Sequence, residues 1–199
     1  MNALMSRMSP AATNMIRMDH SHVLMQFHKL EPGISRSVRE ATVKTICTAL
    51  EIHAQLEEEI FYPALREVLD AAGIQLEPLN HAVPEHNTMK ELIARIRSLS
   101  VDDPAQMEAV YELMRAVIHH VADEETVVLP AAEKHLAQHL SELGARMTRR
   151  RLELAGPRAA EIAGNLVKAS PGKTALMVAG TLTAGALLVG SMRRSSRWQ

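Results

Sequence analysis

The sequence predicts an all-α protein built around an up-down-up-down four-helix bundle, and three observations support this prediction. The 199 residues are rich in alanine, leucine, methionine and glutamate, and 3% are aromatic, a composition that favours helices over strands. Apolar residues recur at intervals of three and four along most of the chain, as on one face of a helix. The stretch HAQLEEEIFYP at 53–63 returns in similar form as HVADEETVVLP at 120–130, which indicates a repeated helical hairpin.

Net charge and cysteine content argue against a nucleic-acid-binding protein and against a disulfide-linked fold. The net charge is -1 with histidine neutral, so bulk charge gives no indication of nucleic-acid binding. The single cysteine, Cys47, excludes an intrachain disulfide and is expected to be a small buried side chain. Residues 1–12 lack the apolar core of a secretory signal, so we expect a frayed N-terminus and a cytoplasmic protein.

The first predicted helix carries His20 on an apolar stripe. It runs from Thr13 to about Lys29, and Thr13 or Asn14 is expected to cap it. The Glu-Pro-Gly sequence at 31–33 ends it, because proline and glycine together favour a turn.

The second predicted helix contains the first copy of the repeated stretch. Ser35 or Ser37 is expected to cap its start, and Gly73 is expected to end it after about Ala72. Pro63 lies inside this helix, where a missing backbone N–H should produce a kink just past the predicted metal ligands.

The third and fourth helices repeat this hairpin. The third carries His86, and Pro84 either kinks it or lies in its first turn. The fourth is predicted from about Pro104 to beyond His139, with Pro130 as the counterpart of the earlier kink. Because short connections join all four helices, antiparallel neighbours are the simplest arrangement.

A helical extension is expected after the bundle. A basic helix at Leu140–Leu154 presents arginines either to solvent or to anionic lipid. Residues 174–192 carry no charge and are just long enough to span a bilayer, so we expect a transmembrane helix, with a helix on the membrane surface or a loose apolar tail as the alternatives. The predicted division is a flexible N-terminus (1–12), the bundle (13–140), a basic helix and linker (141–172), a membrane-anchoring helix (173–193) and a tail (194–199).

Six inward-facing residues are expected to bind metal. In each copy of the repeat a histidine and a glutamate stand four residues apart, so both project from one helix face, and another histidine precedes them on the neighbouring helix. Four neutral imidazoles and two carboxylates suit a pair of first-row transition ions, iron above all, and a carboxylate can bridge two ions. The predicted ligands are His20, His53, Glu57, His86, His120 and Glu124.

With this ligand pattern the chain resembles the hemerythrin-like, or HHE cation-binding, domain over roughly residues 13–150. The resemblance includes the order of the six predicted ligands and the segments EEEIFYPAL (57–65) and LGARMTRRR (143–151). It implies a four-helix bundle with a non-haem di-iron centre that the carboxylates of Glu57 and Glu124 bridge.

The sequence departs from the oxygen-carrying members of that family, which use two histidines four apart on the third helix. The positions four from His86 are Ala82 and Lys90, which cannot replace the missing ligand. His81 or Glu85 could contribute, although each lies about one helical step off the His86 face. Reversible oxygen carriage is therefore not implied. An open coordination position instead suits redox chemistry on dioxygen, peroxide or nitric oxide.

Residues beside the predicted ligands leave alternatives open. Asp19 and Glu85 each precede a ligand histidine, and they either orient an imidazole or face solvent. Tyr62 and Tyr111 are the two tyrosines, and either could lie near the metals or pack in the core. The glutamates that follow the ligands are expected to be solvated or to contact a ligand, without binding metal themselves: Glu58, Glu59 and Glu125.

Three functions compete at this level. The first is a di-iron protein that binds or senses dioxygen, nitric oxide or iron. The second is a di-iron oxidoreductase that acts on peroxide or ferrous iron. The third is a metal-free structural bundle held at the inner face of a membrane by residues 173–193. Stoichiometric iron would exclude the third, and turnover would separate the second from the first.

Overall fold

The structure is a computed structural model that describes residues 9–169, and the described residues form helices joined by short turns. Two π-helical turns and one 3-10 turn interrupt the helices, at Glu57–Phe61, Glu124–Val128 and Gly156–Arg158. The α-helices are α1 (Ala12–His28), α2 (Arg36–Leu56), α3 (Tyr62–Ala71), α4 (Glu77–Ser98), α5 (Pro104–Asp123), α6 (Leu129–His135), α7 (Leu140–Ala155) and α8 (Ala159–Ala169).

The bundle consists of two helical hairpins. Helix α1 packs against α2, and α4 packs against α5, while α3 and α6 continue α2 and α5 beyond the π-helical turns. Helices α7 and α8 pack on the outside, α7 against α1 and α8 against α2. The predicted all-α four-helix bundle with a C-terminal helical extension is confirmed.

The helix ends agree with the sequence in part. Ser35 caps α2 by accepting a hydrogen bond from the Val38 N–H, as predicted. The predicted capping of the first helix by Thr13 or Asn14 is wrong, because α1 already begins after Ala11 and has no side-chain cap. After α3, Gly73 adopts a φ of 68°, a left-handed conformation that glycine allows without a steric penalty.

The prolines interrupt the helices in a way that the sequence did not predict. Where kinks were expected, the chain forms π-helical turns in which the Tyr62 N–H reaches the Glu57 carbonyl and the Leu129 N–H reaches that of Glu124. Pro63 then lies in the first turn of the next helix, where a missing N–H costs little. Pro84 lies inside α4, so its predicted alternative place in the first turn is wrong.

The fourth bundle helix is shorter than predicted. It ends at His135 rather than beyond His139, and a turn at 136–139 redirects the chain into α7. His135 and His139 are therefore not neighbours on one helix face, and they cannot pair as helical i and i+4 residues.

The apolar core is divided into two clusters. One lies around Phe61 and Leu65, and the other lies around Ile46 and Leu113. On α1, Ile16 belongs to the first cluster and Val23 to the second, so His20 lies between them. The predicted metal ligands therefore occupy a polar layer between two apolar regions of one bundle.

Helix α7 approaches the start of α1 very closely. A Cβ atom added at Gly144 would lie 2.0 Å from the Pro10 carbonyl oxygen, closer than any side chain can come. Glycine at this position lets α7 lie against the bundle at the level where its arginines reach the polar layer.

Membrane association is not addressed by the described residues. Between residues 9 and 169, every helix is too short or too polar to cross a bilayer. The predicted membrane-anchoring helix at 173–193 and the tail at 194–199 lie outside the described residues, as do residues 1–8.

Candidate metal centre

The structure brings all six predicted ligands together in the layer between the two core clusters. Every one of them is buried, although charged and imidazole side chains rarely are unless they are paired or bind metal. The set comprises His20, His53, Glu57, His86, His120 and Glu124.

Each ligand glutamate lies between the two hairpins. Glu57 Oε2 is 3.1 Å from Nε2 of His53 on its own helix and 3.4 Å from Nε2 of His86 on the other hairpin. Glu124 Oε2 is likewise 3.0 Å from Nε2 of His20 across the bundle. The two carboxylates therefore lie between the two halves of the candidate centre.

The remaining histidine completes this arrangement. His120 Nε2 lies 3.5 Å from Glu124 Oε2 and 3.1 Å from His86 Nε2. The inward nitrogens and oxygens fall into two overlapping groups, within each of which the atoms lie within 4.8 Å of one another. These groups are His20, His53, Glu57 and Glu124, and Glu57, His86 and His120.

The donor set fits bound cations. Glu57 Oε1 is buried and has no hydrogen-bond partner, which is costly for a carboxylate oxygen. Burial would lower the pKa of the His20 imidazole, but the hydrogen bond to Glu124 raises it to about 9, so this side chain already supplies part of the compensating positive charge. Metal cations held by these side chains would supply the missing partner of Glu57 Oε1.

The outward nitrogen of every ligand histidine meets a carboxylate. Such a partner accepts the Nδ1–H, fixes the tautomer and directs the Nε2 lone pair inward for metal binding. The four pairs are His20 with Glu125 (2.9 Å), His53 with Asp19 (3.4 Å), His86 with Glu58 (2.9 Å) and His120 with Glu85 (2.8 Å).

These four carboxylates settle the alternatives that the sequence left open. Asp19 and Glu85 contact imidazoles rather than facing solvent alone, and Glu58 and Glu125 do the same. Glu59, by contrast, points away from the layer and pairs with Arg150 at 2.7 Å.

Basic side chains hold three of these carboxylates in turn. Arg151 of α7 binds both oxygens of Asp19, Lys90 binds both oxygens of Glu58 at 2.7 and 2.8 Å, and Arg17 lies 3.0 Å from Glu125. One arginine of the predicted basic helix, Arg151, therefore lies beside the polar layer that holds the predicted ligands.

Asp19 shows the electrostatic effect of such pairing. Burial alone would raise the pKa of its carboxyl, but hydrogen bonds to His53 and Arg151 lower that pKa to about 2. Asp19 is therefore ionised at neutral pH and accepts a hydrogen bond from the His53 Nδ1–H.

Tyr62 belongs to the centre as well. Its buried hydroxyl lies 2.8 Å from Glu124 Oε1 and 3.2 Å from Glu57 Oε2, whereas Tyr111 is 43% exposed on the surface. Burial and the two nearby carboxylates raise the pKa of this phenol well above its usual value, so it keeps its proton.

The position of Tyr62 follows from the π-helical turn. On a regular helix, residues five apart point in different directions, so Tyr62 would not lie over Glu57. The wider turn at Glu57–Phe61 adds one residue and brings the two side chains together. The sequence carried no signal specific to this turn, because the second π-helical turn has Leu129 at the position of Tyr62.

The two glutamates of the layer differ in the direction of their pKa shifts. Burial, followed by the charge of Glu124, raises the pKa of Glu57. Burial would also raise the pKa of Glu124, but the hydrogen bond from His20 and the surrounding imidazoles lower it. Nearby donors thus decide which carboxylate keeps its charge.

A small cavity lies beside the centre, on the side of the second core cluster. Its volume is about 20 Å³, enough for one water molecule or a diatomic molecule. The inner imidazoles meet it from one side, and its walls are mainly apolar, with Val23, Leu50, Met89, Ile93 and Val117 among them.

The two residues considered as replacements for the missing histidine do not occupy its place. His81 is exposed and lies 3.5 Å from Glu77, and Glu85 contacts the outward nitrogen of His120. Neither side chain therefore presents an atom among the inward donors.

A family model described as the hemerythrin HHE cation-binding domain matches residues 11–132, which is more than half of the chain and contains all six predicted ligands. The chain belongs to the hemerythrin HHE cation-binding domain family. It is a metal-binding helical bundle on this ground, and the buried donor cluster agrees with that assignment.

Relatives of this hemerythrin-like chain come from distant organisms. An uncharacterised protein of Mycobacterium tuberculosis is 30% identical over 146 residues, which cover 67% of this chain and 86% of the relative. An uncharacterised hemerythrin-like protein of Schizosaccharomyces pombe is 28% identical over 89 residues, or 45% of this chain and 43% of the relative. A protein of Nostoc named as a DNA nickase is 28% identical over 129 residues, covering 65% of this chain and 35% of its own length.

A solved structure supports the fold. The crystal structure of a hemerythrin HHE cation-binding domain-containing protein from Mycobacterium kansasii superposes with a TM-score of 0.63 at 20% identity. The match covers 85% of this chain and 99% of the other. The likeness therefore includes residues beyond the stretch that the family model matches.

Proposed function

We propose that this protein holds two iron ions in the polar layer and binds dioxygen or nitric oxide beside them. The observation that carries the proposal is that Glu57 belongs to both groups of inward donors. A carboxylate shared in this way suits a pair of ions, whereas a single ion would leave one of the groups unused.

The donor set favours iron. Imidazole nitrogen and carboxylate oxygen together suit the first-row transition ions, and thiolate, which favours zinc or copper, is not among the inward donors of the described chain. Each half contributes two histidines, and the glutamates lie between them. This leaves coordination positions for a small molecule.

The cavity supports a small, apolar ligand. Two iron ions, when bound, would supply the electrons and the open coordination positions that dioxygen or nitric oxide requires. Val23, Met89 and Val117 are among the apolar residues that line this cavity beside the imidazoles, and its volume suits a diatomic molecule better than a larger one.

The protein side chains have separate tasks in this proposal. The carboxylates on the outer nitrogens orient the imidazoles. The Tyr62 hydroxyl, whose oxygen lies 2.8 Å from Glu124 Oε1, holds a proton at the centre. Because the layer is buried between two apolar clusters, these contacts are shielded from water and are stronger than they would be at the surface.

Metal content and optical spectra test the proposal. Full-length protein purified from cells is expected to contain two iron ions per chain, and its reduced form should change spectrum on exposure to dioxygen or nitric oxide. Iron, manganese and zinc at background levels would refute metal binding in this layer. One ion per chain would refute the pairing of the two halves.

Turnover of peroxide is a second candidate, which the Tyr62 hydroxyl favours. Cleavage of the oxygen–oxygen bond of peroxide to water takes up two protons and two electrons. The Tyr62 hydroxyl, which lies beside both carboxylates, would deliver a proton, and a second peroxide molecule, oxidised to dioxygen, would supply the electrons. If the protein is such an oxidoreductase, Tyr62→Phe should retain its iron and lose most peroxide consumption. Equal rates in both proteins, or no consumption by the wild type, would leave ligand binding as the function.

We also propose that residues 173–193 attach the bundle to the cytoplasmic face of a membrane. The support is an uncharged run at 174–192 between Lys173 and the Arg193–Arg194 pair, which suits a spanning or an interfacial helix. Full-length protein should sediment with membranes, and a chain that ends at Pro171 should not. Equal solubility of the two would refute the attachment and leave the metal centre unaffected.

A further inference from the structure

A second group of metal-binding side chains lies on the surface, next to the buried layer. It consists of Glu85 on α4 and His119 and Asp123 on α5, and each offers a donor atom within 4.8 Å of the others. His119 is 72% exposed, so solvent ions reach this group freely.

The duplicated architecture shows that this surface group is specific to the second hairpin. The equivalent positions in the first hairpin are Asp19, Ile52 and Leu56, two of which are apolar and pack into the core. There the guanidinium of Arg151 neutralises Asp19. Repetition of the hairpin therefore does not account for the imidazole and carboxylate at positions 119 and 123.

The chemistry of the group suits a divalent first-row ion. His119 and Asp123 stand four residues apart on one helix face, and Glu85 approaches from the neighbouring helix with Oε1 3.8 Å from His119 Nε2. One imidazole nitrogen and two carboxylate oxygens form a donor set for iron, manganese or zinc. The presence of the imidazole distinguishes the group from ordinary solvated acidic residues.

Glu85 connects the surface group to the buried centre. While Oε1 faces His119, Oε2 lies 2.8 Å from Nδ1 of His120, whose other nitrogen points into the centre. A cation held at the surface would therefore lie beside the outer edge of an internal ligand.

We propose that Glu85, His119 and Asp123 form a surface site for a divalent cation, and that ferrous iron enters the internal centre through it. The entry role rests on the proposed iron centre, whereas cation binding at the surface does not. The carboxylates raise the local concentration of cations, and the exposed imidazole adds selectivity for transition ions.

Manganese binding tests the surface site directly. The number of Mn²⁺ ions bound by the full-length, iron-loaded protein is measured by electron paramagnetic resonance of the free ion. Wild type is expected to bind one more Mn²⁺ per chain than His119→Ala or Asp123→Asn. The control is His28→Ala, which removes an exposed histidine whose partner is Glu31, away from the surface group. Equal numbers in wild type and His119→Ala would overturn the site.

The rate of iron loading tests the entry role. Metal-free protein is mixed with ferrous iron without oxygen, and uptake is followed by rapid sampling and chelation. His119→Ala and Asp123→Asn should load about tenfold more slowly and reach the same final iron content. His28→Ala should load like the wild type. Equal loading rates in His119→Ala and wild type would overturn the entry role.

The two measurements separate this proposal from the proposed iron centre. If the wild type held no internal iron, the iron centre and the entry role would both fall. The difference of one Mn²⁺ between wild type and His119→Ala would still decide the surface site. Glu85 is left unchanged in both experiments, because a substitution there would remove its contact with His120 and disturb the internal centre as well.

Discussion

The half of the centre built on His20 and His53 and the half built on His86 and His120 present the same donor atoms, but different groups lie over them. Helix α7 covers the first half, where Arg151 binds Asp19. The second half has no counterpart of α7 in the described chain, and its Glu85 faces an exposed imidazole. The duplicated hairpins thus account for metal binding, and the helix that follows them makes the halves unequal.

Loss of a glutamate that contacts both halves should have the largest effect on metal content. Both halves should then lose their ion, so the difference between them should disappear. Glu57→Ala and Glu124→Ala are each expected to lose both ions, whereas His20→Ala should lose chiefly one, because a terminal imidazole serves one ion. Iron content and the optical spectrum measure this. The control is Glu59→Ala, since Glu59 pairs with Arg150 outside the layer.

An unchanged metal content and spectrum in Glu124→Ala would show that the bridging assignment is wrong. Glu125 is unsuitable as the control, although it follows the ligand directly in sequence. Its carboxylate contacts Nδ1 of His20, so Glu125→Ala should also weaken metal binding, about tenfold or more.

The docking of α7 can be tested at Gly144. Gly144→Ala places a methyl group against the Pro10 carbonyl and should lower the free energy of unfolding by about 1–3 kcal/mol, measured by urea denaturation. The matched control is Gly164→Ala on α8, where a Cβ atom meets no other group. If Gly144→Ala were as stable as wild type, the close approach of α7 would not be needed for the fold.

Arg151 and Lys90 pair with carboxylates over different halves of the centre, so the loss of each should affect a different ion. Arg151→Gln is expected to speed loss of one ion to a chelator about tenfold, because Asp19 then holds His53 less firmly. Lys90→Gln should speed loss of the other ion, by less, since Lys90 is 41% exposed. Arg95→Gln, which breaks a surface pair, serves as the control. Identical release curves for all three variants would contradict independent halves.

The smallest effect concerns Cys47, whose counterpart in the second hairpin is Met114. Burial raises the pKa of the Cys47 thiol to about 12, so it should resist alkylation in the native protein at pH 8. The folded state keeps the thiol protonated where the unfolded chain ionises, above about pH 9. Its contribution to stability is therefore complete below pH 9 and lost as the pH rises towards 12.

The Cys47 contribution is measured as the difference in unfolding free energy between wild type and Cys47→Ala. This difference should stay constant up to pH 8.5 and shrink by about 1 kcal/mol near pH 10. A difference that is independent of pH over that range would contradict the burial of the thiol.

The sequence by itself determined the helical class, the two hairpins and the inward ligand set. These features depend on local geometry, because residues four apart on a helix share a face regardless of what surrounds it. The repeat then gave two such faces, at 53–57 and 120–124. Their meeting in one buried layer required only that both hairpins bury their apolar stripes.

The tertiary structure decided the irregular turns and everything that surrounds the ligands. The π-helical turn that places Tyr62 over Glu57 depends on packing at the end of the bundle, since the proline alone is equally compatible with a kink. Whether Asp19 or Glu85 meets a histidine on a neighbouring helix depends on how the helices are rotated and shifted. Such contacts join residues far apart in sequence, so no local pattern records them.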